Sequence, residues 1–228
     1  MTLTVHAELM QGSPEWHAQR RGIATASVVG RLITPKTVQP AENPESRALT
    51  FLRAAERITG WTDPTFVSDD MQRGIDDEPL ARSVYAQNYA PVETVGFMTE
   101  DQWGYRIGYS PDGLVGDDGL IEIKSRRSKT QLTTILADEV PTEDYAQLQC
   151  GLLVSGRKWI DYVSYCGGMP LYVKRVLPDE KWFTAIVDAV AKLEKTVAEI
   201  IETYGQSVTG LPTTEREPEF MNTELKLT

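Results

Sequence analysis

The sequence predicts an α/β (α+β) fold, with a central mixed β-sheet flanked by helices. The first observation behind this is the order of hydrophobic periods. Helical patterns fill the chain to about residue 90, strand-like alternation begins at Pro91, and helices, two further strands and one long helix follow. The second is the stretch Ile121-Glu122-Ile123-Lys124 behind a Gly-rich turn (Gly113, Gly116, Gly119). Alternate residues of a strand share a face, so Glu122 and Lys124 point one way and the two isoleucines pack behind them. The third is the absence of repeats or a linker across 228 residues. That favours one large domain, placed at 1–205, with a polar tail over 206–228 that contains Pro212 and Pro218.

Each element has a local cause. Ser13-Pro14 opens the first helix, with serine as N-cap and proline in the first turn, and Gly22 ends it. Thr25-Ala26-Ser27 opens a short helix through Leu32. Asn43-Pro44-Glu45 starts a third, which runs to about Ile58 and closes at Gly60. Residues 69–90 read as a helix in which Pro79 allows a kink or a fresh start. Strands follow near 92–98, 103–109 and 119–125, then helices near 128–138 and 142–155. Strands at 158–166 and 171–177 flank Gly167-Gly168, and a long amphipathic helix spans 179–204.

Composition excludes several classes. No apolar run is long enough to span a membrane. The start, MTLTVHAELM, lacks a basic segment followed by an apolar core, so a signal peptide is not expected and a reducing cytoplasm is. Cys150 and Cys166 then read as free thiols, and two cysteines cannot supply the four thiolates of an iron–sulfur cluster. His6 and His17 make no Cys/His cluster for zinc. The net charge of −10 opposes nucleic-acid binding in bulk, but its distribution does not. Lys124, Arg126, Arg127 and Lys129 face only Glu122 within 120–130, and Arg20, Arg21, Arg31 and Lys36 face only Glu15 within 11–36. Acid gathers in 61–80 and from 188 onward, so an acidic exterior with a locally basic groove fits the sequence.

Chemistry concentrates between Tyr109 and Lys124. Asp112 ends one strand-like run, and the Gly-rich turn brings it toward Glu122 and Lys124. Two carboxylates beside one ammonium suit a divalent cation and attack on a phosphodiester. The backbone carbonyl of Ile123 lies between the two charged residues and could complete the inner oxygen set. Glu78, after Asp76-Asp77, is a further candidate acid, although such a run also reads as a solvated helix start. Ser27 falls in the first turn of a helix, where backbone N–H groups attract anions, and Arg20 lies seven residues earlier, able to fork onto phosphate oxygens. Gln147 and Gln149, two apart on a helix, do not share a face, so one lines the site while the other packs.

Pro111-Asp112, a spacer and Glu122-x-Lys124 resemble the PD-(D/E)XK nuclease superfamily. That motif is short, and a salt-bridged surface hairpin reads the same. Three more segments sharpen the resemblance: PEWHAQRRGIATASVVGRLIT at 14–34, RGIDDEPLAR at 73–82 and DYAQLQCGLL at 144–153. In this order, with SPDG and IEIK, they resemble the phage lambda exonuclease family of YqaJ-like viral recombinases over about 11–175.

The resemblance implies a restriction-endonuclease-like fold and a 5′→3′ double-strand DNA exonuclease that releases 5′-mononucleotides. It implies one or two Mg²⁺ ions, or Mn²⁺, on Asp112, Glu122, the Ile123 carbonyl and Glu78, with Lys124 acting on the water. It implies a 5′-phosphate pocket of Arg20, Ser27, Ser110 and Gln149. Arg126, Arg127, Lys129, Gln147 and Lys36 are the expected DNA contacts. The implied partners are duplex DNA ends, two more copies in a homotrimeric ring, and a phage single-strand annealing protein, all in a bacterial cytoplasm. Where the family has an arginine after the motif lysine, this chain has Thr130, and Arg126, Arg127 and Lys129 are the candidate replacements. The rival readings are a restriction-type or junction-cleaving endonuclease on the same fold, and a non-catalytic DNA-binding module built on a nuclease.

Overall fold

The computed structural model describes residues 3–64 and 66–216. The tail expected at 206–228 therefore lies outside the described residues from 217 onward. Its first residues, Gln206 and Ser207, are still helical.

The chain begins with strand β1 (Thr4–His6), helix α1 (Pro14–Arg20), strand β2 (Ala24–Thr25) and helix α2 (Ala26–Val29), which tightens into a 3-10 turn over Gly30–Leu32. A small hairpin, β3 (Ile33–Thr34) and β4 (Gln39–Pro40), leads to the long helices α3 (Pro44–Thr59) and α4 (Asp69–Asn88). Strands β5 (Phe97–Glu100), β6 (Ile107–Tyr109), β7 (Gly113–Val115) and β8 (Gly119–Ser125) follow. Helices α5 (Ser128–Ala137) and α6 (Thr142–Ser155), strands β9 (Trp159–Tyr165) and β10 (Tyr172–Val176), and helix α7 (Glu180–Ser207) complete the order.

Caps explain the helix ends. Ser13 accepts the Trp16 N–H at 3.2 Å, and Asn43 and Ser46 form a reciprocal capping box at the start of α3. Gly60 closes α3 in the left-handed region at φ 64°. Helix α4 runs unbroken through Pro79, with Ala81 and Tyr85 buried just beyond it.

The strands form two four-stranded sheets, β1-β5-β6-β2 and β10-β9-β8-β7, each with one parallel pair. The expected single sheet is thus split, and the physical reason lies in two crossings. Glu93 exchanges both backbone hydrogen bonds with Leu114 of β7, whereas Phe97–Glu100 belong to the other sheet. The expected strand 92–98 serves both sheets and cannot be continuous. The chain crosses back between β6 and β7, through Ser110-Pro111-Asp112. What reads in sequence as a Gly-rich turn contains strand β7, because Gly113–Val115 pair antiparallel with Gly119–Ile121. The strand expected at 103–109 begins only at Ile107.

Alternation along β8 and β9 divides the core. Ile121, Ile123 and Val163 pack with Ala81 and Tyr85 of α4. Leu120, Ile160 and Tyr162 face the opposite way, into the larger core of α2, α3, α6 and α7. Helix α6 is the centre of that core: Ala146, Leu148, Cys150, Leu152 and Val154 are buried. Both cysteines are free thiols. Among the described residues no helix is long and apolar enough to cross a membrane.

Candidate active site

The crossing between the sheets places the predicted carboxylates. Strand β7 pairs with β8 only as far as Gly113 and Ile121, so the next outward-facing N–H of β8, that of Ile123, has lost its ladder partner. The Asp112 side chain takes that bond, with Oδ2 accepting from Ile123 at 2.6 Å. A strand residue directs its N–H and C=O to the same edge. The Ile123 carbonyl therefore faces the same edge as Asp112. Glu122 and Lys124 share the opposite-facing side of β8, as the alternation predicts, and the Lys124 Nζ donates to Glu122 Oε1 at 2.9 Å.

Helix α6 locks this pair. Gln147 donates through Nε2 to Glu122 and accepts from Lys124 Nζ through Oε1 at 2.9 Å. Tyr109, fully buried at the end of β6, donates to Glu122 Oε2 at 3.2 Å. Its ring lies against α6 where the helix has Gly151, and a Cβ there would stand 2.8 Å from Tyr109 Cζ. Only glycine leaves space for this approach.

Helix α4 supplies the third acid. Glu78 pairs with Arg82 one turn later, and Arg82 Nε donates to the Asp112 backbone carbonyl at 2.7 Å. Glu78 also lies close enough to feel the charges of Glu122 and Lys124 and to act on Asp112. Burial, reinforced by Glu122 and Glu78, holds the Asp112 carboxyl well above the usual carboxylate range. Burial likewise raises Glu78, with Arg82 opposing. Burial works against the Lys124 charge, yet Glu122 and Asp112 outweigh it and push its pKa up to about 12. The carboxylates thus crowd one another in a partly dry site, the setting in which a cation is most strongly attracted.

The donor set fits a hard metal ion. Among the described residues no three His, Cys, Asp or Glu side chains form a ready cage. Two carboxylates and one carbonyl are nevertheless what Mg²⁺ uses, since it keeps several waters and takes the rest from phosphate oxygens. Asp112, Glu122 and the Ile123 carbonyl would be the inner oxygens, with Glu78 beside them.

A second cluster begins at Ser110. Arg20 Nη1 donates to Ser110 Oγ at 3.1 Å, and Nη2 donates to Ser27 Oγ at 3.0 Å and Thr25 Oγ1 at 3.4 Å. The guanidinium stacks 4.0 Å from the Trp16 ring centroid. It meets no carboxylate among the described residues, and burial with nearby Arg53 lowers its pKa to about 10. The turn after it is clamped by α3. Gly22, at φ 71°, donates to Glu56 Oε2 at 2.9 Å, and its carbonyl accepts from Arg57 Nε at 2.7 Å.

Several predicted contacts fall elsewhere. Gln149 shares no hydrogen bond with Arg20, Ser27 or Ser110. It is fully buried, and its amide bonds the Leu177 carbonyl at 2.9 Å and the Asp179 N–H at 2.9 Å, tying α6 to the start of α7. Of the two glutamines, Gln147 lines the site and Gln149 packs. Arg126 is held by Asp144 and the Tyr162 hydroxyl, and Arg127 by Asp70, so both arrive with their charge already paired. Lys129 is exposed, like Arg127, but makes no ion pair among the described residues. Lys36 sits in the β3–β4 turn and makes no hydrogen bond or ion pair with a site residue among the described residues. Helix α2 is only one turn long, so hydroxyls and Arg20, rather than a helix dipole, make the environment of Ser27.

Sequence reasoning missed Trp16, Tyr109 and Arg82 as site residues. Trp16 and Arg20, like Glu78 and Arg82, are four apart on a helix and share a face, which was a readable signal. Tyr109 had none, because its partner lies on another sheet.

A family model described as the YqaJ-like viral recombinase domain matches residues 15–158. The chain belongs to that family. Every residue placed in the two clusters after Ser13 falls inside the matched span. The structure of an alkaline exonuclease from Laribacter hongkongensis is similar at 30% identity and a TM-score of 0.78, over 88% of this chain and 100% of that one. The same exonuclease in complex with dAMP matches equally, with 30% identity and a TM-score of 0.78. A phage-related exonuclease from Haemophilus somnus 129PT shares the fold at 13% identity and a TM-score of 0.58, covering 80% of this chain and 96% of that one. No curated protein sequence matches. Family and fold together make this YqaJ-family chain a nuclease.

Proposed function

We propose that the chain is a metal-dependent 5′→3′ exonuclease of double-stranded DNA that releases 5′-mononucleotides and leaves 3′ single-stranded overhangs. One observation carries this reading: a half-buried guanidinium, that of Arg20, has hydroxyl partners and no carboxylate partner among the described residues, and one of those partners, Ser110, stands two residues along the chain from Asp112. Ser110 and Asp112 can lie no more than about 7 Å apart at Cα. A terminal phosphate held by Arg20, Ser110 and Ser27 would therefore present the first internucleotide linkage to Asp112 and Glu122. An endonuclease has no use for such a pocket.

When bound, Mg²⁺ or Mn²⁺ would lower the pKa of a water and offset charge on the scissile phosphate. The protein's part is orientation. Gln147 and Tyr109 fix the Glu122 carboxylate, and Arg82 fixes the Asp112 backbone and Glu78. Lys124, cationic between Glu122 and Gln147, would donate to the water or to a phosphate oxygen as charge develops. The dAMP bound by the similar alkaline exonuclease is a mononucleotide of the product class proposed here.

We extend the reading to a homotrimeric ring working with a single-strand annealing protein in a bacterial cytoplasm. Charge supports the ring. The chain is acidic overall, Arg126 and Arg127 are already paired, and Asp188, Glu199 and Glu202 are exposed along α7. So few unpaired cations would release DNA quickly at physiological salt, whereas a closed ring holds it by topology.

Linear duplex labelled at one 5′ or 3′ end, beside a covalently closed circle, tests the function. The 5′ label should leave as mononucleotide, the 3′ label should stay on a shrinking duplex, and the circle should remain intact. Linearised circles would establish the endonuclease reading instead.

A further inference from the structure

We propose that Trp16 is a positioning residue for end recognition: it forces the Ser110 hydroxyl to act as a hydrogen-bond donor toward the terminal phosphate. The inference rests on the reading of the Arg20 cluster as a phosphate pocket and goes beyond it by accounting for every proton there.

A serine hydroxyl has two lone pairs and one proton. Trp16 Nε1 donates to Ser110 Oγ at 2.9 Å, and Arg20 Nη1 donates to the same oxygen at 3.1 Å. Neither donor can accept. Both lone pairs of Ser110 are therefore filled, and its proton has no acceptor among the described residues. It must point outward.

The same counting applies to the other hydroxyls. Thr25 Oγ1 and Ser27 Oγ lie 3.2 Å apart, and both accept from Arg20 Nη2. Whichever of the two donates to the other, one hydroxyl proton is left over. The cluster thus offers a guanidinium and two hydroxyl protons against a single unfilled lone pair on Thr25 or Ser27. A terminal phosphate monoester, with three unbridged oxygens, matches a pocket so rich in donors. A 5′-hydroxyl brings a single oxygen and leaves most of those donors without a partner.

Trp16 is held firmly for this task. Its backbone N–H is capped by Ser13 at 3.2 Å, and its ring contacts both His17, at 4.9 Å between centroids, and the Arg20 guanidinium. The indole serves the pocket twice: its face supports the guanidinium, and its edge consumes a lone pair of Ser110. Without the indole N–H, the Ser110 hydroxyl can rotate and meet the phosphate with a lone pair, which is repulsive.

The test uses Trp16→Phe, which keeps a smaller aromatic face beneath Arg20 and removes the indole N–H, alongside Ser110→Ala, the double variant and Arg20→Ala. Steady-state kcat and KM are measured on duplexes with 5′-phosphoryl and 5′-hydroxyl ends, with thermal melting as the check on folding. Trp16→Phe should lower the 5′-phosphate preference about tenfold, the scale of one bond to a charged group. Ser110→Ala should lower it similarly, and the double variant no further, because the two act through one proton. Full retention of the preference in Trp16→Phe, or losses that multiply in the double variant, would overturn the proposal. If Arg20→Ala abolishes the preference while Trp16→Phe leaves it intact, only this inference fails. If Arg20→Ala leaves the preference untouched, the phosphate-pocket reading itself fails.

Discussion

Replacing Gly151 by alanine should damage both stability and catalysis, from a position that touches neither metal ligand nor DNA. A Cβ at Gly151 would lie 2.8, 3.0 and 3.1 Å from three atoms of the Tyr109 ring. Carbon atoms pack at about 3.5 Å or more, so the ring must retreat by about 0.7 Å. Tyr109 is fully buried and has nowhere to go without shifting its neighbours. Overpacking of this kind costs about 1–3 kcal/mol, and a clash with three ring atoms belongs at the upper end. Alanine returns about 1 kcal/mol of helix propensity. The net loss is then about 2 kcal/mol, or about 4–8 °C in Tm for a chain of this size. Helix α4 provides the contrast: a Cβ at Gly74 meets nothing within 4 Å. Gly74→Ala should therefore raise Tm, because propensity acts there alone. The displaced Tyr109 also pulls its hydroxyl from Glu122, now 3.2 Å away, so kcat of Gly151→Ala should fall about 10–100-fold, the scale of a small misplacement at a reacting centre. Melting curves and single-turnover digestion of linear duplex read the two effects. An alanine at 151 that is as stable and as active as wild type would show that the ring does not press on α6 and that Glu122 does not depend on it.

Lys124→Ala should cost at least about 100-fold in turnover while DNA binding measured by fluorescence anisotropy stays nearly unchanged, as the proposed action of the ammonium on charge that develops during the reaction requires. Mg²⁺ or Mn²⁺ should support digestion and Ca²⁺ should not, because calcium takes longer, looser bonds and leaves the water misaligned; vigorous cleavage after exhaustive chelation would end the metal mechanism. Arg20→Ala should erase a 10- to 150-fold preference for 5′-phosphorylated ends, corresponding to about 1.5–3 kcal/mol for a charge-assisted contact. Burial and Arg53 lower Arg20 to about 10, so in wild type this preference should hold at neutral pH and fade as pH rises past that value and the guanidinium loses its proton. Light scattering should give close to three times the 25.5 kDa chain mass, and a strictly monomeric enzyme would remove the ring.

The helices and the catalytic strand were legible in the sequence because their causes are local. A capping serine and a proline start α1, a capping box and Gly60 bound α3, and the alternation of Ile121 to Lys124 fixes which face each residue of β8 presents. The motif residues follow from the same period. The short strands β1, β2, β3 and β4 carry no readable period at two or three residues each, and exist because a partner pairs with them. The division into two sheets was equally hidden, because a strand-like run such as 92–98 does not announce that its halves pair with different neighbours.

Sequence by itself determined which chemical groups this nuclease has to work with: Asp112, Glu122, Lys124 and Glu78 near one another, and Arg20 with Ser27 and Ser110. Tertiary structure alone decided how each group is oriented and which are spent elsewhere. Gln147 rather than Gln149 reaches Glu122, since residues two apart on a helix point in different directions and only packing of α6 chooses between them. Arg126 and Arg127 look free in sequence and are paired in space, with acids 18 and 57 residues away. Tyr109 and Gly151 set the Glu122 carboxylate across 13 and 29 residues of chain, through contacts that no local pattern encodes. Periodicity reports a residue's own element, whereas a charge or hydroxyl gains its partner only when distant elements pack together.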